Sequence, residues 1–543
     1  MFRQLFFISF TFFGFFISCE NSNNINRGEV FRYNEASGVS SLDPAFSRDQ
    51  ASNWISKQIF STLVDTDSSL QIVPNLSLSW NLSNDGLVYD FFLRSDVIFH
   101  NSPCFKNQKR YLTAHDVVYS LQRLKNVKTA SPGAWVLENV KSISHDGPLH
   151  VVIILDASDP SFLGRLSMPY CGIVPEEAID FFGKEFSSNP IGTGPFYFKA
   201  WRRNDKLVLR RNKHFYQTDH EGIRLPYIEA VSIRFIPDRQ AAFLEFIKGN
   251  LDFLTGVDPS YKDQLFNTNG NLLDQWRNKF KLYRSPFLNT EYIGIKCNNP
   301  SPAYLSDARV RRALNLAIDR ENMIRYLKNG IGKAAYGGLI PVGLKGNRPD
   351  SSWKDPYFFN KQAAVKLLID AGLIYDSVNP SNYVEPIILS TTSGYRDLCE
   401  YLQSAWGNIG IPVKVDVIPA ASFREDKSKG RLSVYRASWI ADYPDAENYL
   451  MLFEGKRAAP LGPNSSQFVN SKFDSLLSAG RNAILESSRI NAYERADKLL
   501  HDQSRLIPLI YDESVRVIEK KWIGLPAHPM NWLDLRHIKK AEN

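Results

Sequence analysis

Along much of the chain, apolar and polar residues alternate with a period of two. Val231, Ile233 and Phe235 alternate with Ser232 and Arg234, and Tyr89, Phe91 and Leu93 stand two apart in the same way. Successive side chains of a strand point to opposite faces, so each stretch reads as a strand with one buried side. Leu207 and Leu209 repeat the pattern just after Trp201. Elsewhere the period lengthens to that of a helix. Thr113-x-x-Asp116 has the form of a capping box, and Val117, Leu121 and Leu124 behind it share one helical face. Asn360 is placed to cap a second helix whose apolar side is Ala364, Leu367, Leu368 and Ala371, with Gly372 as its stop. Strands and helices mix irregularly, which predicts an α/β protein. At 543 residues the chain exceeds what one hydrophobic core holds and implies two or three domains.

The first thirty residues follow a different pattern. Leu5 to Ile17 form an apolar run behind a single positive residue, Arg3, and the run ends at Ser18-Cys19. This is the order of an export signal, and it is shorter than the roughly twenty apolar residues a membrane span needs. Ser18-Cys19 resembles a bacterial lipoprotein box, which makes Cys19 the expected lipidated first residue of the mature protein. Phe16 and Ile17 depart from the usual residues of that box, so a plain secretory signal is the alternative. The Asn-rich stretch from Glu20 to Gly28 would serve as a tether of flexible chain.

Composition narrows the reading further. The net charge of +8 raises nucleic acid as a partner, but the basic residues are scattered in short clusters such as Arg202-Arg203, Arg210-Arg211 and Lys520-Lys521. No nucleic-acid motif accompanies them, and scattered charge is ordinary solvated surface. Beyond Cys19 there are four cysteines, Cys104, Cys171, Cys297 and Cys399. Export permits disulfides, three pairings are open, and unpaired thiols are equally compatible. Their wide spacing contains no CxxC pair, which argues against a metal or redox site.

An exported peptidase is the rival class to test. Neither Gly-x-Ser-x-Gly nor His-Glu-x-x-His occurs, so the motifs that place a nucleophile or a zinc ion are missing. The close histidine pairs, His145 with His150 and His214 with His220, lack ligand spacing and read as surface residues. Gly192-Thr193-Gly194 opens like a dinucleotide fingerprint, but Pro195 and Tyr197 break it. It reads as a tight turn into a strand, not a phosphate cradle. No cofactor or metal is expected, and a binder is favoured over an enzyme.

The densest chemistry lies in Val434-Tyr435-Arg436-Ala437-Ser438-Trp439-Ile440-Ala441-Asp442-Tyr443-Pro444-Asp445. Aromatic walls beside a few placed charges are what an orienting small-molecule site needs. The same run also fits a surface strand entering an Asp-Tyr-Pro-Asp turn.

It resembles the ligand-clamping segment of the extracellular solute-binding proteins that serve oligopeptide and dipeptide importers. The resemblance extends over Ser41-Leu42-Asp43-Pro44, Val73-Pro74-Asn75-Leu76, Ser83 to Phe91, Leu93 to His100 and Thr113 to Ser120. It continues through Gly192 to Phe196, Ala308 to Leu314, Ala317-Ile318-Asp319-Arg320 and Ala363 to Leu368. The ending, Pro529 to Leu535, is similar to members from Bacteroidota.

The resemblance implies two lobes hinged around a cleft. Lobe I would hold 28–63, 171–289 and 508–543, a satellite domain 64–170, and lobe II 290–507. The chain would cross between lobes near Pro286-Phe287 and Ile507-Pro508. By the same resemblance Asp442 pairs with the α-ammonium of a peptide, Trp439 forms an aromatic wall, and Arg436 meets the carboxylate of a short peptide. Arg436 could instead pair with Asp442 or Asp445. Tyr443 could stack on ligand or pack, and Asp445 could cap the helix that Ala446-Glu447-Asn448-Tyr449-Leu450 suggests. The implied partners are a peptide, the permease and ATPase of an ABC importer, and a membrane reached through acylated Cys19, with the protein itself a monomer. Nickel chelates, haem, opines, sugars and cell-wall peptides are the alternative ligands within the family.

Overall fold

Two long strands, Phe280–Ile295 and Leu506–Glu519, run antiparallel and pair from Phe280↔Glu519 to Gly294↔Leu506. The structure, a computed structural model, describes residues 29–106, 108–374 and 384–541. Cys19, the preceding apolar run and the tether lie outside these.

The two strands form the middle of an eleven-stranded sheet. Beyond Leu506–Glu519 the order is Phe253–Thr255, Val30–Asn34, Ala230–Arg234, Lys206–Arg211 and Phe196–Arg202. Beyond Phe280–Ile295 it is Val434–Ile440, Ile387–Thr391 and Val413–Val417. Lys333–Ala334 pairs separately with the 506–519 strand.

The regular ladder between the central strands breaks twice, first between Pro286 and Thr290 and again where Glu291 faces Ile510 and Tyr292 faces Pro508. Pro286 faces Glu513 and Thr290 faces Tyr511, so the segment 287–289 lies opposite Asp512 alone. A bulge of this kind bends and twists its strand.

The predicted elements form with one difference. Val88–Leu93 buries Tyr89, Phe91 and Leu93, and Lys206–Arg211 buries Leu207 and Leu209. Ala230–Arg234 buries Ser232 as well as Val231 and Ile233. The one-sided reading fails there because the strand lies inside the sheet, parallel to Val30–Asn34, where both faces are covered. The helix Ala114–Lys125 starts with Asp116 accepting from the backbone N–H of Thr113 at 2.8 Å. The helix Lys361–Asp370 starts with Asn360 accepting from Ala363 N–H at 2.9 Å, and Gly372 beyond its end takes φ +72°.

The Gly192-Thr193-Gly194 turn sits against the C-terminal end of the helix Gln50–Ile59. Gly194 N–H donates to Ile59 O at 2.8 Å, and a Cβ at either glycine would overlap the Ile59 backbone. Both glycines are needed for this close approach.

Ser77–Leu82, Val88–Leu93, His150–Leu155 and Val140–His145 form a separate four-stranded antiparallel sheet. Its buried residues share a core with Phe31 and Ile233 of the large sheet and with Trp522 of a small two-stranded sheet. All four cysteines of the described residues are free thiols, and Cys171 and Cys399 are buried. Among the described residues no helix is long and apolar enough to cross a membrane, and no group of His, Cys, Asp or Glu could hold a metal ion.

Candidate functional site

The strand Val434–Ile440 lies beside the 280–295 strand with Trp439 opposite Thr290 and Arg436 opposite Ile293. Trp439 is three positions after Arg436, an odd step along the strand, so their side chains leave opposite faces of the sheet. That parity divides the expected site residues between two cavities.

Trp439, Asp442 and Tyr443 line a cavity of about 790 Å³. Its other wall comes from the stretch 135–170 and includes Trp135, Glu138, Asp159, Arg165 and Tyr170. Arg436 points the other way. Its guanidinium binds both carboxylate oxygens of Glu291, at 2.6 and 2.9 Å, and lies over the Tyr395 ring at 3.2 Å. Its ion pair is thus with Glu291, not with Asp442 or Asp445. Glu291 and Tyr395 line a second cavity of about 360 Å³, which also includes Arg239, Lys328, Asp512 and Glu513 beside the bulge in the central strands. A carboxylate gripped by Arg436 would not share a cavity with an ammonium at Asp442.

Beyond Ile440 the strand ends and Ala441 N–H donates to Leu288 O. Asp442 follows, half-buried, and its position is set by Asn448. Asn448 Oδ1 accepts from Asp442 N–H at 3.0 Å and from the Trp439 indole at 2.8 Å, while its Nδ2 donates to Asp442 Oδ2 at 3.3 Å. One buried amide therefore orients both the carboxylate and the aromatic wall.

No cation of the described residues pairs with Asp442. Burial pushes its carboxyl up to about 6, and the Asn448 bond only partly offsets that. The neighbouring Tyr170 phenol is raised to about 12, first by burial and then by the Asp442 charge. A half-buried carboxylate with a hydrogen-bond mount and no counter-ion has the form of a receptor for a cation.

Tyr443 is buried, packs 6.1 Å from the Trp135 ring, and donates to Glu447. Asp445 Oδ1 accepts from Glu447 N–H at 2.9 Å at the start of the helix Glu447–Leu450, and its other oxygen lies 3.3 Å from Arg489. Both contacts are structural, and Asp445 lines a smaller neighbouring cavity instead.

Reasoning from the sequence missed Asn448, Arg165 and Glu138. Asn448 left a faint signal, as an amide between Glu447 and the apolar pair Tyr449-Leu450. The other two gave none, because their neighbours in space are far away in the chain.

The two halves of one sheet joined by paired strands, with an added four-stranded sheet, define a two-lobed periplasmic-binding-protein fold. The fold of a periplasmic binding protein DppA from Helicobacter pylori, solved with the peptide STSA, matches with a TM-score of 0.77 at 25% identity, covering 95% of this chain and 98% of that one. HbpA2 from Haemophilus parasuis matches in fold with a TM-score of 0.79. Residues 71–460 match the model of bacterial extracellular solute-binding proteins, family 5 Middle, and the chain belongs to that family. Among curated relatives, the heme-binding protein A of Haemophilus influenzae is 25% identical, covering 95% of each chain. The periplasmic oligopeptide-binding protein OppA of Escherichia coli is 26% identical, covering 90% of this chain and 88% of its own.

Proposed function

We propose that this protein is the substrate-binding component of an ABC importer and captures short peptides by their free amino end. The observation that carries the reading is Asp442, a carboxylate mounted by Asn448 in a cavity of about 790 Å³ with no counter-ion. A peptide's α-ammonium supplies the missing charge whatever its side chains, and Trp439, Trp135 and Tyr170 offer aromatic surface around it. Relatives whose names record oligopeptide, dipeptide and di/tripeptide binding support this ligand class.

The domains are assigned as lobe I in 28–63, 171–289 and 508–543, satellite in 64–170, and lobe II in 290–507. The protein acts as a monomeric binder without altering its ligand, held to the cell envelope through an acylated Cys19. Titration calorimetry with a tripeptide and its N-acetylated form tests the reading. The free peptide should bind saturably and the acetylated one at least about a hundredfold more weakly, the loss expected for stranding a buried charge at about 3–5 kcal/mol. Equal affinity for the two would overturn it.

Relatives also include a heme-binding protein and a murein peptide-binding protein. The charged, mixed lining of the cavity favours the peptide.

A further inference from the structure

The reading above places one charge of a zwitterion and leaves the other without a partner. Arg436 is on the opposite face of the strand, so the cavity's own cations are the candidates: Arg165, Lys456, Arg457 and Arg481. Arg481 is held by both Glu447 and Glu454, and Lys456 is largely exposed beside Glu454.

Arg165 and Arg457 differ from these. Arg165, on the short helix Phe162–Leu166 of the satellite wall, is 3% exposed. It forms an ion pair with Asp159, while its Nε has no hydrogen-bond partner. Asp159 in turn accepts from Ser161 and Asn139, so its charge is shared among several donors. Arg457, on the opposite wall, binds Glu454 at 3.0 Å. Between the two arginines stands the carboxylate of Glu138, 3.9 Å from Arg165 Nη1 and 3.4 Å from Arg457 Nη2. Both separations are long for charge-assisted hydrogen bonds, and the Glu138 side chain is 43% exposed. Glu138 is thus a loosely held carboxylate between two guanidinium groups of opposing walls.

We propose that Arg165 and Arg457 form the receptor for a carboxylate of the ligand, and that Glu138 occupies that position until the ligand displaces it. The inference rests on the peptide reading and narrows it. The favoured ligand carries an ammonium and a carboxylate, the latter from its C-terminus or from an acidic side chain. A planar guanidinium suits bidentate capture of either. Since Arg165 and Arg457 stand on different walls, the same carboxylate would tie the satellite region to lobe II in place of Glu138.

Calorimetry on the full chain with three probes tests this: Ala-Ala-Ala as the free acid, its C-terminal amide, and the amide of Ala-Glu-Ala. The amide of Ala-Ala-Ala should bind about tenfold or more weakly than the acid. Recovery by the amide of Ala-Glu-Ala assigns the position to a side chain, and no recovery assigns it to the terminus. Glu138→Gln should raise affinity for the free acid severalfold and leave that for the Ala-Ala-Ala amide unchanged. Arg165→Met and Arg457→Gln should abolish the preference for the acid, with Arg457→Gln serving if Arg165→Met fails to fold. Equal binding of all three probes by the wild type, with N-acetylation still harmful, would overturn the carboxylate receptor and leave the amine site standing. If none of the probes binds, both readings fall.

Discussion

Asp442 is kept at a cost to the empty protein. Its carboxyl is raised by burial, so the ionised form is disfavoured in the fold relative to the unfolded chain. That penalty is absent below the ordinary carboxylate range and grows as pH rises towards and past about 6. Asp442→Asn should therefore raise the melting temperature of the ligand-free protein at pH 7 and give no gain at pH 3.5. A lowered melting temperature at pH 7 would mark Asp442 as a structural turn residue. The same substitution should weaken peptide binding at least about a hundredfold, while N-acetylation of the peptide costs the mutant little more.

Binding has the opposite pH sign. The pair needs both an ionised carboxylate and a protonated amine, so affinity should be highest near pH 7, fall about tenfold between pH 7 and pH 5 with proton release on binding near pH 6, and fall again above about pH 8 as the peptide's own α-ammonium loses its proton. Calorimetry in buffers of different ionisation enthalpy measures that release directly, and a flat profile would remove Asp442 from the site.

At the scale of elements, the Gly192-Thr193-Gly194 turn makes the sharpest claim. A methyl group at Gly194 would push into the Ile59 backbone, which cannot rotate aside as a side chain could. Gly194→Ala should destabilise the fold by about 1–3 kcal/mol in urea titration, as overpacking does. A change of a few tenths would show that the helix end yields.

Elements of this kind were legible because their causes are local. Asn360 caps its own helix, Asp116 closes its own capping box, and Tyr89, Phe91 and Leu93 carry the period of a strand. Ser232 misled because its burial depends on a parallel neighbour two hundred residues earlier in the chain. The site was legible only in part for the same reason. Asp442 and Trp439 stand together in a quotable segment, and the strand period already separates Arg436 from them. Glu291, the partner of Arg436, lies in another strand, and Glu138 reaches Arg457 only across the cavity. No spacing along the chain encodes those meetings.

For the whole molecule, the expected motion is closure of the two halves of the sheet on a ligand, bending where the central strands break register opposite Asp512. Small-angle scattering should show compaction when a saturating tripeptide is added, and Glu138→Gln should not prevent it. Unchanged scattering at full occupancy would mean that the site is already closed without ligand. Anchoring is a separate matter of the N-terminus. Cys19→Ala should shift the protein from membranes to the soluble fraction, since stable attachment depends on acyl chains contributing about 0.8 kcal/mol per buried methylene. Retention in native membranes without acylation would refute the lipid anchor.

The paired central strands have a further consequence for anyone who would take the molecule apart. They stand side by side in the middle of one sheet, and in the domain assignment proposed above the chain of the first lobe is interrupted by the whole of the second. No single cut releases a lobe. An excised half would present a broad raw edge of unpaired backbone N–H and C=O groups, an open template for other chains. Fragments of this protein should therefore aggregate where the intact chain stays dispersed, and its two lobes should melt together rather than in turn.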